Sequence, residues 1–446
     1  MTSDLLAPLD LAFWNIESAE HPMHLGALGV FAAHTPTAGA HAADLLAARA
    51  AAVPGLRMRI RDAWRPRGLL RAPFSFGGAA REPAPDFDPL DHVRLHAPAA
   101  DFQAEAGRLM ERPLERGRPP WEAHVLPGED GVSFAVLFKF HHALADGLRA
   151  LTLAAAVLDP MDLPTRRPRP EEPARGRLPD VRGLPDLVRG AVSDVGRALD
   201  IGASVAVSTL ATRSTAALTA EPSGTRRTAG VVVDIDDVHL VRKVVGGTVN
   251  DVLIAVVAGA LRRWLDERGD GSAGVAPRAL IPVSRRRPRT AHPQGNRLSG
   301  YLMRLPVEDP DPLRRLAAVR AAMDRNKDAG PYRGAGAVAL LADHVPALGH
   351  RFAGPLVAQA ARLWFDILVT SVPLPGIPLK LGGHPVAEVY PFAPLARGQS
   401  LAVAISTYRN GVHFGLVADA EAVPDLDVLA RAISEEVAGL ITACDP

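Results

Sequence analysis

The pattern of hydrophobic and polar positions changes period several times along this chain. The stretch "VSFAVLFKFHH" (132–142) is rich in β-branched and aromatic residues and predicts a strand. Side chains alternate faces along a strand. Val132, Phe134, Val136, Phe138, Phe140 and His142 fall on one face, and Ser133, Ala135, Leu137, Lys139 and His141 on the other. The unbroken apolar face leads to His142, which makes it the expected buried imidazole of the pair. The next residues, "ALADG", read as a turn into a helix, "LRALTLAAAVLD".

Farther on, "TVNDVLIAVVAGALRRWLDER" (248–268) predicts a helix, with Leu253, Val256, Val257, Ala260, Leu261 and Trp264 on one face. "DPLRRLAAVRAAMDRNKD" (311–328) reads as a helix with a basic outer face. "VVVDID" (231–236), "RALIPVS", "LSGYLMRLPV" and "FDILVTSVP" read as strands. "LAVAISTYRNGVHFGLVAD" reads as a hairpin with Asn410-Gly411 at a tight primed turn, and "PDLDVLARAISEEVAGLI" as a closing helix. Helices and strands mix in both halves, so the expected fold class is α/β in the α+β, mixed-sheet sense and not a regular doubly wound repeat.

Composition divides the chain. Residues 159–180 are packed with Pro, Arg and Glu and cannot bury a core. A helical stretch, 181–220, and a break at 221–230 follow. The expected organisation is an N-terminal domain at 1–158, a linker with a bridging helix at 159–230, and a C-terminal domain at 231–446.

The chain has 446 residues, 48% of them hydrophobic, enough for more than one core, and a net charge of +1, so no global field points to nucleic acid. Cys444 is the one cysteine, which excludes a disulfide framework and a cysteine metal cage. No basic-then-apolar leader is visible at the N-terminus, so a cytoplasmic address is expected. No stretch reaches the roughly 18 apolar residues of a spanning helix. The nearest, 201–220, is broken by Arg213. A soluble or membrane-surface protein is expected, with 201–220 and 334–369 as candidate contact segments.

The chemistry concentrates at His141, His142, Asp146 and Gly147. A neutral imidazole accepts a proton near neutral pH. Asp146, four residues on, orients that imidazole or clamps the loop, and Gly147 leaves room where the chain turns. Adjacent strand histidines point apart, so the pair is a poor metal site and no metal is implied. The blander alternative is a core histidine followed by an ordinary helix-capping aspartate. No G-x-S-x-G nucleophile elbow occurs. A histidine base without a nucleophile partner suggests direct transfer: it deprotonates a hydroxyl or amine that attacks a bound acyl group. The glycines of "GAGAVA" (334–339) follow no strand and are rejected as a nucleotide site.

Thr248 with Asp251 three residues later forms a capping box by spacing. Asp251 and Asn250 then either start the helix only, or Asn250 donates to an oxyanion there. Trp121 reads first as core, and so does His24. "SRRRPRT" (284–290) and "TRRPRP" (165–170) read as solvated loops, the first also as a phosphate-docking candidate.

"HHALADG" resembles the H-H-x-x-x-D-G motif of the bacterial wax ester synthase/diacylglycerol acyltransferases, within the superfamily of chloramphenicol acetyltransferase-like and condensation-domain enzymes. Further segments resemble that family in the same order. They are the N-terminal block with Pro22–Gly26, the Pro119-Pro120-Trp121 element, the Asn250-Asp251 helix start and the C-terminal hairpin-helix. The resemblance implies two chloramphenicol acetyltransferase-like domains joined by a crossover linker, with an active-site tunnel between them. It implies His142 as general base, with His141, Asp146 and Gly147 as motif residues. Asn250, Asp251 and Trp121 would be substrate-binding or oxyanion elements. Two departures bear on substrate choice: Pro120 replaces a family leucine, and "TSVPLPG" puts Ser371 at a family asparagine and Leu374 at a family glycine.

The expected function is therefore acyl-CoA-dependent transfer to diacylglycerol or a long-chain alcohol, giving triacylglycerol or wax ester. Acyl-CoA is a co-substrate and no other cofactor is expected. The expected partners are these substrates and a membrane or lipid-droplet surface, not nucleic acid. Two rivals stay open: condensation-type chemistry on a carrier-protein-bound acyl group, and a noncatalytic lipid-binding protein.

Overall fold

The computed structural model describes residues 4–63, 78–160, 215–284, 298–329, 365–374 and 376–444. The bridging helix at 181–220 lies almost wholly outside them. So do the linker arginines, the "RRRPRT" stretch and most of 334–369.

Fifteen described strands form three sheets. The first runs β5 (Val93–Leu95), β6 (Trp121–Pro127), β7 (Ser133–His141), β2 (His24–Ala32), β13 (His384–Phe392), β12 (Lys380–Leu381) in spatial sequence. The second runs β8 (Arg226–Asp234), β15 (Gly411–Asp419), β14 (Leu401–Tyr408), β11 (Ile367–Ser371), β9 (Arg278–Ser284), β10 (Leu298–Arg304). A small third sheet joins β1 (Asp4–Leu5), β4 (Gly78–Pro83) and β3 (Met58–Ala63). β5–β6, β9–β11 and β11–β14 are parallel and the other pairs antiparallel, so the expected mixed-sheet α/β class is present.

Chain order and sheet membership part company at β12 and β13. They come late in the chain, yet β13 pairs along its length with β2 in the first sheet. Where β13 crosses the second sheet, a Cβ on Gly415 would stand 1.9 Å from the Pro391 carbonyl oxygen, so only glycine fits there. Ser406 donates its hydroxyl to the Val389 carbonyl across the same junction.

Packing explains the strand patterns. On β7, Phe134, Val136, Phe138 and Phe140 enter a core with the helix Ala38–Ala50. Ala135 and Leu137 enter a second core shared with Tyr390, Phe392, Ala402, Ala404 and Val417 of the other half. β7 is therefore buried on both faces. Lys139 is buried too, and its ammonium donates to the carbonyls of Leu109 and Arg112 at the C-terminal end of the helix Phe102–Glu111. That is a favourable place for a cation.

Three expectations shift. β8 begins at Arg226, five residues before the apolar run, and ends at Asp234, whose side chain caps a helix Ile235–Val245 that the sequence reading did not separate. The helix Val249–Glu267 is buried on more than one face, Ile254, Ala255 and Ala258 included, because the helices Pro312–Ala329 and Leu426–Cys444 pack on it. The hairpin turns one residue early: Tyr408 pairs with Gly411, so Arg409 and Asn410 are the turn, with Arg409 at φ 54°. No single helix among the described residues is long and apolar enough to cross a membrane.

Candidate active site

β7 ends at His141, and the chain turns at once: Leu144 and Ala145 donate to the His141 carbonyl. The period-two argument therefore stops one residue short of His142. The structure corrects that step. His141 is the fully buried imidazole, on the face of Lys139, while part of His142 stays exposed.

The two rings have different surroundings. His141 Nδ1 accepts the Ala143 N–H at 2.9 Å, which puts the ring proton on Nε2. That nitrogen faces the Glu17 carboxylate at 3.3 Å. Glu17 also accepts the Met23 N–H and sits 3.4 Å from Arg116. Burial pushes the Glu17 carboxyl up, but the His141 contact, the Met23 N–H and Arg116 outweigh it and leave it below its ordinary value.

His142 stacks on Phe13, with ring centroids 4.1 Å apart, and its N–H donates to the Met23 carbonyl. Its Nδ1 is buried. Burial, with a smaller push from His141, lowers its pKa from 6.5 to about 4, and a hydrogen bond to its own backbone, with a lesser contribution from Asp146, offsets this only in part. The His142 ring is accordingly neutral across the physiological range. In that state it accepts a proton.

Asp146 is buried and caps the helix Gly147–Ala155 by accepting the Arg149 N–H. Gly147 starts that helix, and a Cβ there would stand 3.2 Å from a Val372 methyl. Val372 follows β11 in the second sheet, so the histidine loop meets the other half of the chain through the Val-Pro segment. Ser371 is exposed at the end of β11.

Trp121 is core. It is buried, stacks on His92, and donates its indole N–H to the Leu56 carbonyl at 2.7 Å. Its neighbour Pro120 accepts the His141 N–H, so the Pro-Pro-Trp element braces the end of β7. Asp251 is the capping residue that its spacing predicts: the Thr248 N–H donates to it at 2.8 Å, and its own N–H donates to the Thr248 hydroxyl. Asn250 is half-buried in the same turn, and among the described residues no hydrogen bond joins it to the histidine loop. His24 is buried, donates to the Met110 carbonyl and lies opposite His141 in the sheet, a structural role.

Sequence reasoning missed Glu17 and Phe13. Their signal is visible afterwards. Phe13, Trp14 and Glu17 recur at helical spacing on and just beyond the helix Pro8–Ile16, and all three touch the histidine pair.

Two six-stranded sheets, a strand exchanged between them and a histidine loop that meets the second half define a mixed-sheet α/β fold. The fold is similar to the wax ester synthase/diacylglycerol acyltransferase of Marinobacter aquaeolei VT8, with TM-score 0.72, 21% identity, and 99% of this chain and 100% of that one covered. It is also similar to the first condensation domain of the calcium-dependent antibiotic synthetase, with TM-score 0.58, 17% identity, and coverage of 100% and 97%.

A family model described as the wax ester synthase/diacylglycerol acyltransferase catalytic domain matches residues 6–253, and the C-terminal domain of the same family matches residues 294–440. The chain belongs to this family and is an acyltransferase. The probable diacylglycerol O-acyltransferase tgs2 of Mycobacterium tuberculosis is 32% identical over 455 residues, covering 96% of each chain. The probable diacylglycerol O-acyltransferase tgs1 of the same organism is 29% identical over 464 residues, covering 98% of this chain and 95% of that one.

Proposed function

We propose that the protein transfers a fatty acyl group from acyl-CoA to the hydroxyl of diacylglycerol or of a long-chain alcohol, with His142 as general base. The single observation that carries the role of His142 is its ring: neutral, packed on Phe13, and held at the loop where the two halves meet. The names of the tgs1 and tgs2 relatives support diacylglycerol as acceptor.

In this reading the acyl chain and acceptor enter a tunnel between the halves. The hydroxyl gives its proton to His142 and its oxygen attacks the thioester carbonyl. Asn250 donates to the oxyanion that forms. The C–S bond then breaks, and the departing thiolate takes the proton back from the imidazolium. The acyl group passes directly, without a covalent enzyme intermediate. The protein works from the cytoplasmic side, at the surface of a membrane or lipid droplet where both lipid substrates gather.

The test is product formation by purified protein from radiolabelled palmitoyl-CoA, with dioleoylglycerol and hexadecanol offered in parallel. Wild type is expected to make triacylglycerol, wax ester or both. His142→Ala should fall by at least about 10²-fold while keeping the native circular dichroism spectrum. Full activity in His142→Ala removes it from the mechanism. Product that appears only with an acyl carrier protein as donor replaces acyl-CoA in this reading.

A further inference from the structure

Ala143 follows His142 directly, and both of its backbone polar groups are held. Its N–H goes to His141, as described above. Its carbonyl accepts a hydrogen bond at 2.6 Å from Nη2 of Arg81, on β4 of the small third sheet. The same Nη2 donates at 2.6 Å to Asp10, on the helix Pro8–Ile16. The Asp10 and Arg81 side chains are 0% and 5% exposed. Ala143 itself is buried in one cluster with Leu11, Trp14, Ile60 and Ala79, so the contact is enclosed by apolar packing.

We infer that Asp10 and Arg81 form a positioning pair that braces the Ala143–Leu144 peptide, one residue beyond His142, and so helps to aim its imidazole. The reasoning is geometric. A base must be placed to within a few tenths of an ångström of its productive hydrogen-bonding position, and an error of about 1 Å can cost about 10²-fold. The His142 N–H is tied to Met23 and the Ala143 N–H to His141. The Ala143 carbonyl shares a peptide plane with the Leu144 N–H, which goes to the His141 carbonyl at 2.8 Å, so Arg81 is the second hold on that plane and the one that ties the turn to the third sheet and, through Asp10, to the helix Pro8–Ile16. Arg81 suits the task because one guanidinium nitrogen serves both acceptors while its charge is balanced by Asp10. The helix Pro8–Ile16 then grips the loop at every step of its inner face: Asp10 through Arg81, Phe13 on His142, Trp14 on His141. The third sheet serves to carry Arg81 to the loop.

This inference rests on the acyl-transfer reading, and its test separates the two. Arg81→Met, Arg81→Lys and the double variant Asp10→Leu/Arg81→Met are assayed beside His142→Ala with palmitoyl-CoA and dioleoylglycerol or hexadecanol, whichever wild type uses. Rates are normalised to the folded fraction from near-UV circular dichroism. The double variant replaces a buried ion pair by apolar groups of similar size, an exchange that usually spares stability. With the enclosed Ala143 carbonyl left unpaired, it is expected to melt a few degrees below wild type and, per folded molecule, to lose about 10–100-fold in kcat, with KM for both substrates changed less than about threefold. Arg81→Lys, which keeps a donor, should recover most of the kcat lost by Arg81→Met. The acid limb of the pH–rate profile should stay put in all three, because the pair acts through geometry.

Wild-type kcat per folded molecule in the Arg81→Met and double variants, with His142→Ala inactive, overturns the positioning role and leaves the acyl-transfer reading intact. Should neither of those two accumulate folded protein, Arg81→Lys decides: a kcat lowered about two- to tenfold per folded molecule, with KM and the acid limb unmoved, upholds the role, and wild-type kcat overturns it. An active His142→Ala overturns both readings at once.

Discussion

His141 and His142 differ by one backbone position and by everything their rings touch. The Glu17 carboxylate and the Ala143 N–H hold one; Phe13 covers the other. The difference predicts different losses. His142→Ala removes turnover, whereas His141→Ala takes one partner from the Glu17 carboxylate and leaves the Ala143 N–H unpaired. It should cost about 1–3 kcal/mol of stability, read by urea unfolding, with partial activity left in the folded fraction. The lowered pKa of His142 has two further consequences. The acid limb of kcat/KM should lie near pH 4 and not near 6.5, with a flat rate from pH 6 to 8, as a pH–rate profile of free enzyme would show. Stability follows the same shift. The unfolded chain binds a proton at this residue between about pH 4 and 6.5 and the folded one does not, so stability falls as pH drops through that window and is flat above it. His142→Gln should lose less melting temperature than wild type between pH 6.5 and 4.5.

Helix starts decide how the neighbouring residues should be read. Asp251 completes a capping box, so Asp251→Ala should lower stability by about 0.5–2 kcal/mol with kcat per folded molecule unchanged. Among the described residues Asn250 makes no such bond. Asn250→Ala tests the oxyanion role: kcat should fall more than KM changes, and an unchanged kcat removes Asn250 from the reaction. The capping box was legible from Thr248 and Asp251 alone because it is local. The start of β8 was not. Arg226 and Thr228 are polar, but Arg226 is buried against Asp419 and the Glu20 carbonyl, and Thr228 against the Gln103 carbonyl. These partners lie far off in sequence, so no local pattern announces them. The helix Ile235–Val245 did carry a signal in Val238, Val241 and Val245, but the strand reading of 231–236 covers only its first turn and leaves the rest unassigned.

The whole molecule is tied together by β13, which leaves the C-terminal half to complete the first sheet. The shared core of Leu137, Tyr390, Phe392 and Val417 draws on both halves. Heating should therefore give one cooperative calorimetric transition, not two. Gly415→Val should push β15 off the Pro391 carbonyl and lower the melting temperature by several degrees, the result of about 1–3 kcal/mol of overpacking. If the halves melt separately in either protein, β13 does not couple them.

The sequence by itself determined what rests on neighbours in the chain. That covers the strand read at 132–142 and the capped helix read at 248–268, each found to within a residue at either end, the closing hairpin though not the position of its turn, and the order of motifs by which the family is recognised. Alternation, capping and turn chemistry are short-range, and the motif order is linear information. Tertiary structure decided which histidine is buried, because β7 has apolar partners on both faces and ends one residue before His142. It also decided that Trp121 is core, that late strands finish the first sheet, and that Glu17, Phe13, Asp10 and Arg81 converge on one loop. Arg81 lies 62 residues from the carbonyl it holds, and only the folding of the third sheet against the helix Pro8–Ile16 brings the two together.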